Sequence, residues 1–65
     1  MQNDLPQRRD AMDLSQGDLA EAVGVSRQTI NAIERGRYNP SLELAFELAC
    51  HFDCTIENIF DPKIE

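Results

Sequence analysis

"SQGDLAEAVGVSRQTINAIERG", residues 15–36, decides the fold. Ser15 followed three residues later by Asp18 has the spacing of a capping box, which opens a helix. Leu19, Ala20 and Val23 then recur at helical spacing and form one apolar stripe. Gly24 closes that helix, because glycine adopts the left-handed conformation of a helix C-terminus without a Cβ penalty. Val25 fills the corner, and Ser26 caps the next helix after only two residues of turn. Ile30 and Ile33 fix that second helix on the core, and Gly36 ends it. Ala20 is small where the two helices cross closely. The opposite face of the second helix, beginning with Arg27, Gln28, Thr29 and Asn31, is left pointing outward.

Helix signals continue on both sides of this unit. A first helix is predicted from about Asp4 to Met12, with Asp4 and Gln7 at capping-box spacing and Leu5 and Met12 facing inward. Pro6 falls in the first turn, where its missing N–H has no intrahelical partner. "RYNPS" reads as a loop, and Ser41 opens a fourth helix whose buried stripe is Leu44, Ala45, Leu48, Ala49 and Phe52. Thr55 begins a last short helix carrying Ile56, Ile59 and Phe60, stopped by Asp61 and Pro62. No sustained two-residue alternation of β-branched residues marks a strand. The expectation is an all-α fold of five short helices in one domain, residues 1–65, with the helix-turn-helix at about 15–35.

Charge is distributed unevenly. The chain has six basic and twelve acidic residues and a net charge of −6. Residues 24–42 hold Arg27, Arg35 and Arg37 against Glu34, a local balance of +2 that leaves −8 elsewhere. A polyanion is a poor first guess as partner for so acidic a protein, yet half of the positive charge is gathered in one stretch. At 65 residues the domain buries only about 60% of its unfolded surface, which points to dimerisation as added support. The polar N-terminus shows no secretory signal, and no run approaches the ~18 apolar residues of a membrane span, so a cytoplasmic protein with reduced Cys50 and Cys54 is expected.

The order "LSQxxLAxxxGVSRxTIxxIExGxxxPS" resembles the lambda-repressor and Cro type of helix-turn-helix, the xenobiotic-response-element family, and within it the minimal regulators that consist of this domain alone. The resemblance spans about Leu5 to Phe60 and implies a five-helix fold, a homodimer and double-stranded operator DNA as partner. It places Gln16 where the family holds a phosphate and braces the recognition helix. Arg27 and Gln28 fall on the base-reading positions, suited to guanine and adenine edges. Thr29 is assigned a phosphate or a thymine methyl. Ser26 and Asn31 complete the reading end, while Ala32 stands where some relatives carry a polar reader. Arg35, Arg37 and Asn39 lie on the loop that grips the backbone. Tyr38 either packs its ring on that loop or sets its hydroxyl on a phosphate. Arg9 and Glu34 match an ion pair that ties the first helix to the third. Two positions depart from the pattern: Arg8 replaces a buried leucine, and Asp13 replaces the glycine before Leu14.

Other readings are weaker. "CHFDC", residues 50–54, offers Cys50, His51 and Cys54 as soft ligands, but a fourth ligand at familiar spacing is lacking, and buried thiols beside a surface histidine are expected. Ile59, Phe60 and Ile64 divide between C-terminal packing and the seam of a homodimer. Catalysis has no support: there is one histidine, no glycine-rich phosphate loop and no nucleophile beside a positioned base. No cofactor, metal, membrane or small-molecule ligand is implied. The reading is a sequence-specific transcriptional regulator, a repressor acting as a homodimer on a palindromic operator. The alternatives are an antitoxin or adaptor that binds a protein through its acidic surface, and a cysteine-based redox or metal sensor.

Overall fold

Hydroxyl caps set the starts of four helices in the computed structural model, which describes residues 1–61. The side chains of Ser15, Ser26, Ser41 and Thr55 accept the backbone N–H groups of Asp18, Thr29, Leu44 and Asn58. The helices so opened are Gln16–Val23, Arg27–Glu34, Leu42–His51 and Ile56–Ile59. With Leu5–Ala11 before them, these are α2 to α5 and α1. The capping box of α2 is complete, since the Asp18 carboxylate also accepts the Ser15 N–H. Those bonds to Ser15, backbone first and side chain second, hold the Asp18 carboxyl below its ordinary range.

Helix ends are as regular as the starts. Gly24 and Gly36 have φ of 76° and 74°, and Asp13 and Asp53 adopt the same left-handed conformation at 57° and 54°. After each, the next N–H reaches back five residues: Leu14 to Arg9, Val25 to Ala20, Arg37 to Ala32 and Cys54 to Ala49. This pairing satisfies carbonyls that a helix C-terminus otherwise leaves open. Asp13 thus performs the turn of the glycine it replaces. Aspartate tolerates the left-handed region better than most residues, though less well than glycine.

The start of α1 differs from expectation. Asp4 makes no side-chain cap. Its carboxylate instead accepts the Arg8 guanidinium at 2.9 Å, and Asn3 supplies the cap by accepting the Leu5 N–H at 3.2 Å. Met12 is exposed rather than inward-facing, because the helix ends at Ala11 and the chain turns away at Asp13. Arg8 sends its head to Asp4 and to the Asn58 carbonyl, so no buried charge results from the departure at this position.

Two short strands also form, Gln2–Asn3 (β1) and Phe60–Asp61 (β2), paired antiparallel with Asn3 opposite Phe60. Phe60 is therefore extended, not helical, and its side chain enters the core from the strand. The core is continuous through α1 to α5 and β2, and its largest fully buried side chains are Leu5, Leu19, Ile30, Ile33 and Leu48. Phe52 is only half-buried, packing against this core with its ring edge-on to His51. Among the described residues, no helix is long and apolar enough to cross a membrane.

Candidate nucleic-acid interface

Placement of the outward face of α3 follows from a polar network at its inner end. Glu34 accepts two bonds from Arg9, at 2.6 and 3.1 Å, and a third from the Gln16 amide at 2.9 Å. Arg9 also donates to the Leu14 carbonyl at 2.9 Å. The Gln16 carbonyl oxygen lies 3.4 Å from the Asn31 amide nitrogen. One carboxylate on α3 thereby joins the end of α1, the following turn and the first turn of α2. The pair is largely enclosed, with side-chain exposures of 14% for Arg9 and 6% for Glu34. Its bidentate geometry and the satisfied third bond offset the desolvation of two charges. Its hydrogen bonding to the Glu34 carboxylate raises the Arg9 pKa further, outweighing the opposing effect of burial, so this arginine stays charged at any working pH.

α3 is held at its other side as well. The Asn3 amide donates to the Ile33 carbonyl at 2.8 Å, and Asn3 is in turn paired with Phe60. The N-terminal segment also runs beside the turn after α3: a Cβ on Gly36 would stand 3.2 Å from the Met1 carbonyl oxygen.

The face so fixed is polar and concave. Gln16, Arg27, Gln28 and Asn31 line one shallow depression of about 280 Å³ between the starts of α2 and α3. The Arg27 stem crosses the first turn of α2, where a Cβ on Gly17 would meet Arg27 Cδ at 3.9 Å. Ser26 and Thr29 share a hydroxyl hydrogen bond of 2.9 Å at the mouth of α3. Arg35, Arg37, Tyr38 and Asn39 are all exposed on the connection to α4. Arg8 and Arg9 are engaged with Asp4 and Glu34, whereas Arg27, Arg35 and Arg37 make no salt bridge or side-chain hydrogen bond among the described residues. Among the described residues, the arginines without such a partner are thus those on or beside α3.

Residues 7–59 match the family model described as helix-turn-helix. The chain belongs to the helix-turn-helix family. This helix-turn-helix protein is 55% identical over 60 residues to an HTH-type transcriptional regulator of Methanocaldococcus jannaschii, covering 92% of this chain and 91% of that one. It is 43% identical over 60 residues to the HTH-type transcriptional regulator YgzD of Bacillus subtilis, again covering 92% and 91%. Among solved structures it is similar to the restriction-modification controller protein C.AhdI from Aeromonas hydrophila, with a TM-score of 0.77, 36% identity and coverage of 86% and 85%. The N-terminal DNA-binding domain of SinR from Bacillus subtilis is also similar, with a TM-score of 0.75, 30% identity and coverage of 92% and 88%. The helix-turn-helix protein is a transcriptional regulator with a DNA-binding fold, and not an enzyme.

Several side chains stand differently from their predicted places. Ile59 and Phe60, expected in part at a seam between copies, are 2% and 6% exposed. Both are consumed by the chain's own core, so little of either is left for a partner; Ile64 lies outside the described residues. Cys50 is exposed and Cys54 half-buried, both as free thiols, because Cys50 falls on the outer side of α4 rather than on its apolar stripe. His51 is half-buried, its Nε2 enclosed without a hydrogen-bond partner. No cluster of three metal-ligating side chains occurs among the described residues. Asn3 and Gly17 went unnoticed in the sequence. A Cβ at Gly17 would make only ordinary contacts with Ser15 and Arg27, so this position does not require glycine. Asn3 carried no signal of its role.

Proposed function

We propose that the chain is a sequence-specific repressor that acts as a cytoplasmic homodimer on a palindromic operator. The observation that carries this reading is the division of the arginines: those behind α3 are neutralised internally, and those on its outer side are free. Arg27 at the start of α3 suits guanine O6 and N7, and Gln28 suits adenine N6 and N7. Asn31 reads one turn further on, from the same depression. Thr29 has its hydroxyl occupied by Ser26, which leaves its methyl for a thymine methyl. Gln16 spends one amide hydrogen on Glu34 and keeps the other for a phosphate, so one side chain braces α3 and anchors the duplex. Arg35, Arg37, Tyr38 and Asn39 hold the backbone, positioning the helix without specifying sequence. Repression then follows from occupancy, the bound dimer excluding polymerase from the promoter.

The test is selection from a pool of random-sequence duplexes. The expected product is one palindrome with half-sites about 10 base pairs apart, one turn of the duplex. Binding that is salt-sensitive but blind to sequence overturns the reading. A promoter carrying the selected site, fused to a reporter, is expected to fall silent when the protein is supplied. A rise in output leaves the DNA reading in place and reverses the sign of regulation.

A further inference from the structure

Behind the reading face, Glu34, Gln16 and Asn31 form a hydrogen-bonded row with a fixed sense. Glu34, the carboxylate partner of Arg9, only accepts hydrogen bonds. The Gln16 amide must therefore turn its nitrogen to Glu34, and Nε2 stands 2.9 Å from Oε1. That leaves the Gln16 carbonyl oxygen facing Asn31, whose Nδ2 lies 3.4 Å away. The bond is long, but its sense is set: reversing the Asn31 amide would set two carbonyl oxygens against each other. The other end of the Asn31 amide is open. Among the described residues, Asn31 Oδ1 has no hydrogen-bond partner and is not enclosed, since His51 Nε2 is the buried side-chain atom without one. Asn31 lines the same depression as Arg27 and Gln28.

We propose that Glu34, acting through Gln16, fixes the direction of the Asn31 amide and makes Asn31 a reader of adenine, a role that rests on the DNA-reading face proposed above for α3. An outward carbonyl oxygen needs a donor opposite it. In the major groove adenine N6 and cytosine N4 donate, whereas guanine O6 and N7 and thymine O4 only accept. Adenine wins over cytosine because the second Nδ2 hydrogen is left for its N7, which completes a bidentate pair. Guanine meets the Asn31 oxygen with acceptors alone. Asn31 is thus the specificity-determining residue, and Glu34 and Gln16 are positioning residues that act on the base through it.

The row also predicts its own inversion. In Glu34→Gln the new amide gives its oxygen to Arg9, which can only donate, and turns its nitrogen to Gln16. Gln16 then turns over and offers its nitrogen to Asn31. Asn31 in turn points its nitrogen outward, where it suits the acceptors of guanine in place of the amino group of adenine.

Titrations on variants of the operator selected from random duplexes test this. The base pair read by Asn31 is the one whose preference Asn31→Ala abolishes. There the wild type is expected to favour A·T over G·C at least about fivefold. It is also expected to lose affinity when the adenine is replaced by purine, which lacks the amino group. Glu34→Gln is expected to lose that amino-group dependence and to lower or invert the A·T preference, while the preference at the Arg27 base pair persists. A purely structural role for Glu34 instead lowers affinity for all these duplexes alike, and that result overturns the inference. Gln16→Met removes the amide and leaves the Arg9–Glu34 pair in place, so it serves if Glu34→Gln does not fold. It is expected to bring the A·T to G·C ratio toward one, and circular dichroism checks both variants. A G·C pair at the Asn31 position in the wild type overturns the inference while the regulator reading stands. So does wild-type dependence on the amino group in folded Glu34→Gln or Gln16→Met, and so does an Asn31→Ala variant that keeps every base preference. A wild type blind to sequence overturns both readings together.

Discussion

Arg27 and Arg37 carry the same charge in the same exposed region, yet different losses are expected from them. Arg27 stands at the first position of α3, exposed beside the first turn of α2, whereas Arg37 lies on the connection to α4. A guanidinium carried on a helix that enters the groove is placed for a base edge; the same group on a flanking loop is placed for a phosphate. Arg27→Ala is expected to lose about 1–3 kcal/mol of discrimination at one base pair of each half-site. Arg37→Ala is expected to weaken all duplexes alike and to reduce the slope of log K against log salt by about one. Titrations of operator and scrambled duplexes at several salt concentrations separate the two. An unchanged preference in Arg27→Ala shows that the reading register of α3 is wrong. Arg27, Gln28 and Asn31 were legible in the sequence because helical spacing from Ile30 and Ile33 fixes which residues face outward. The bracing of α3 by Gln16 was legible only through the family resemblance, since a glutamine in a first turn has no distinctive pattern.

Elements of this chain are specified mainly at their ends. Each start has a hydroxyl or Asn3 as cap, and each left-handed stop is a glycine or an aspartate. Asp13 is the weaker kind of stop, so Asp13→Gly is expected to stabilise the fold by about 0.5–1 kcal/mol. In a domain of this size that raises the thermal midpoint by several degrees. Asn3 is the other informative position. It accepts from Leu5 N–H and donates to the Ile33 carbonyl, capping α1 and tethering α3 with one side chain. Asn3→Asp keeps the acceptor and loses the donor, placing a carboxylate against a carbonyl. Thermal unfolding is expected to show a loss of about 1–3 kcal/mol, more than the same change at exposed Asn58 of α5 produces. The helices were readable because caps and stops are short-range chemistry. The strand pair was not: two residues carry no periodicity, and Phe60 at four residues from Ile56 has the spacing of a helix. Only the pairing of Asn3 with Phe60, from opposite ends of the chain, makes that segment extended. Met12 was misplaced for a related reason, since a helical pattern does not reveal that the helix has already ended.

Across the whole molecule, acidity and DNA binding are complementary. The acids outside residues 24–42 do not line the depression of Gln16, Arg27, Gln28 and Asn31. When the α3 face is docked, carboxylates on the far sides lie roughly 20 Å from the nearest phosphates, where each pair repels by about 0.2 kcal/mol in water and less in salt. In any other orientation the same carboxylates meet the duplex directly. They therefore act chiefly on the orientations that sequence-blind binding would use. Glu21, Asp53 and Glu57 are exposed acids on α2, on the α4–α5 turn and on α5. Replacing them together as Glu21→Gln, Asp53→Asn and Glu57→Gln is expected to raise affinity for scrambled duplex several-fold at low salt. Affinity for the operator should rise less, so the specificity ratio falls. The difference should vanish near 0.5 M salt, where the screening length is only about 4 Å. An equal gain on both duplexes shows that the acidic surface sets overall affinity and does not select the docking orientation.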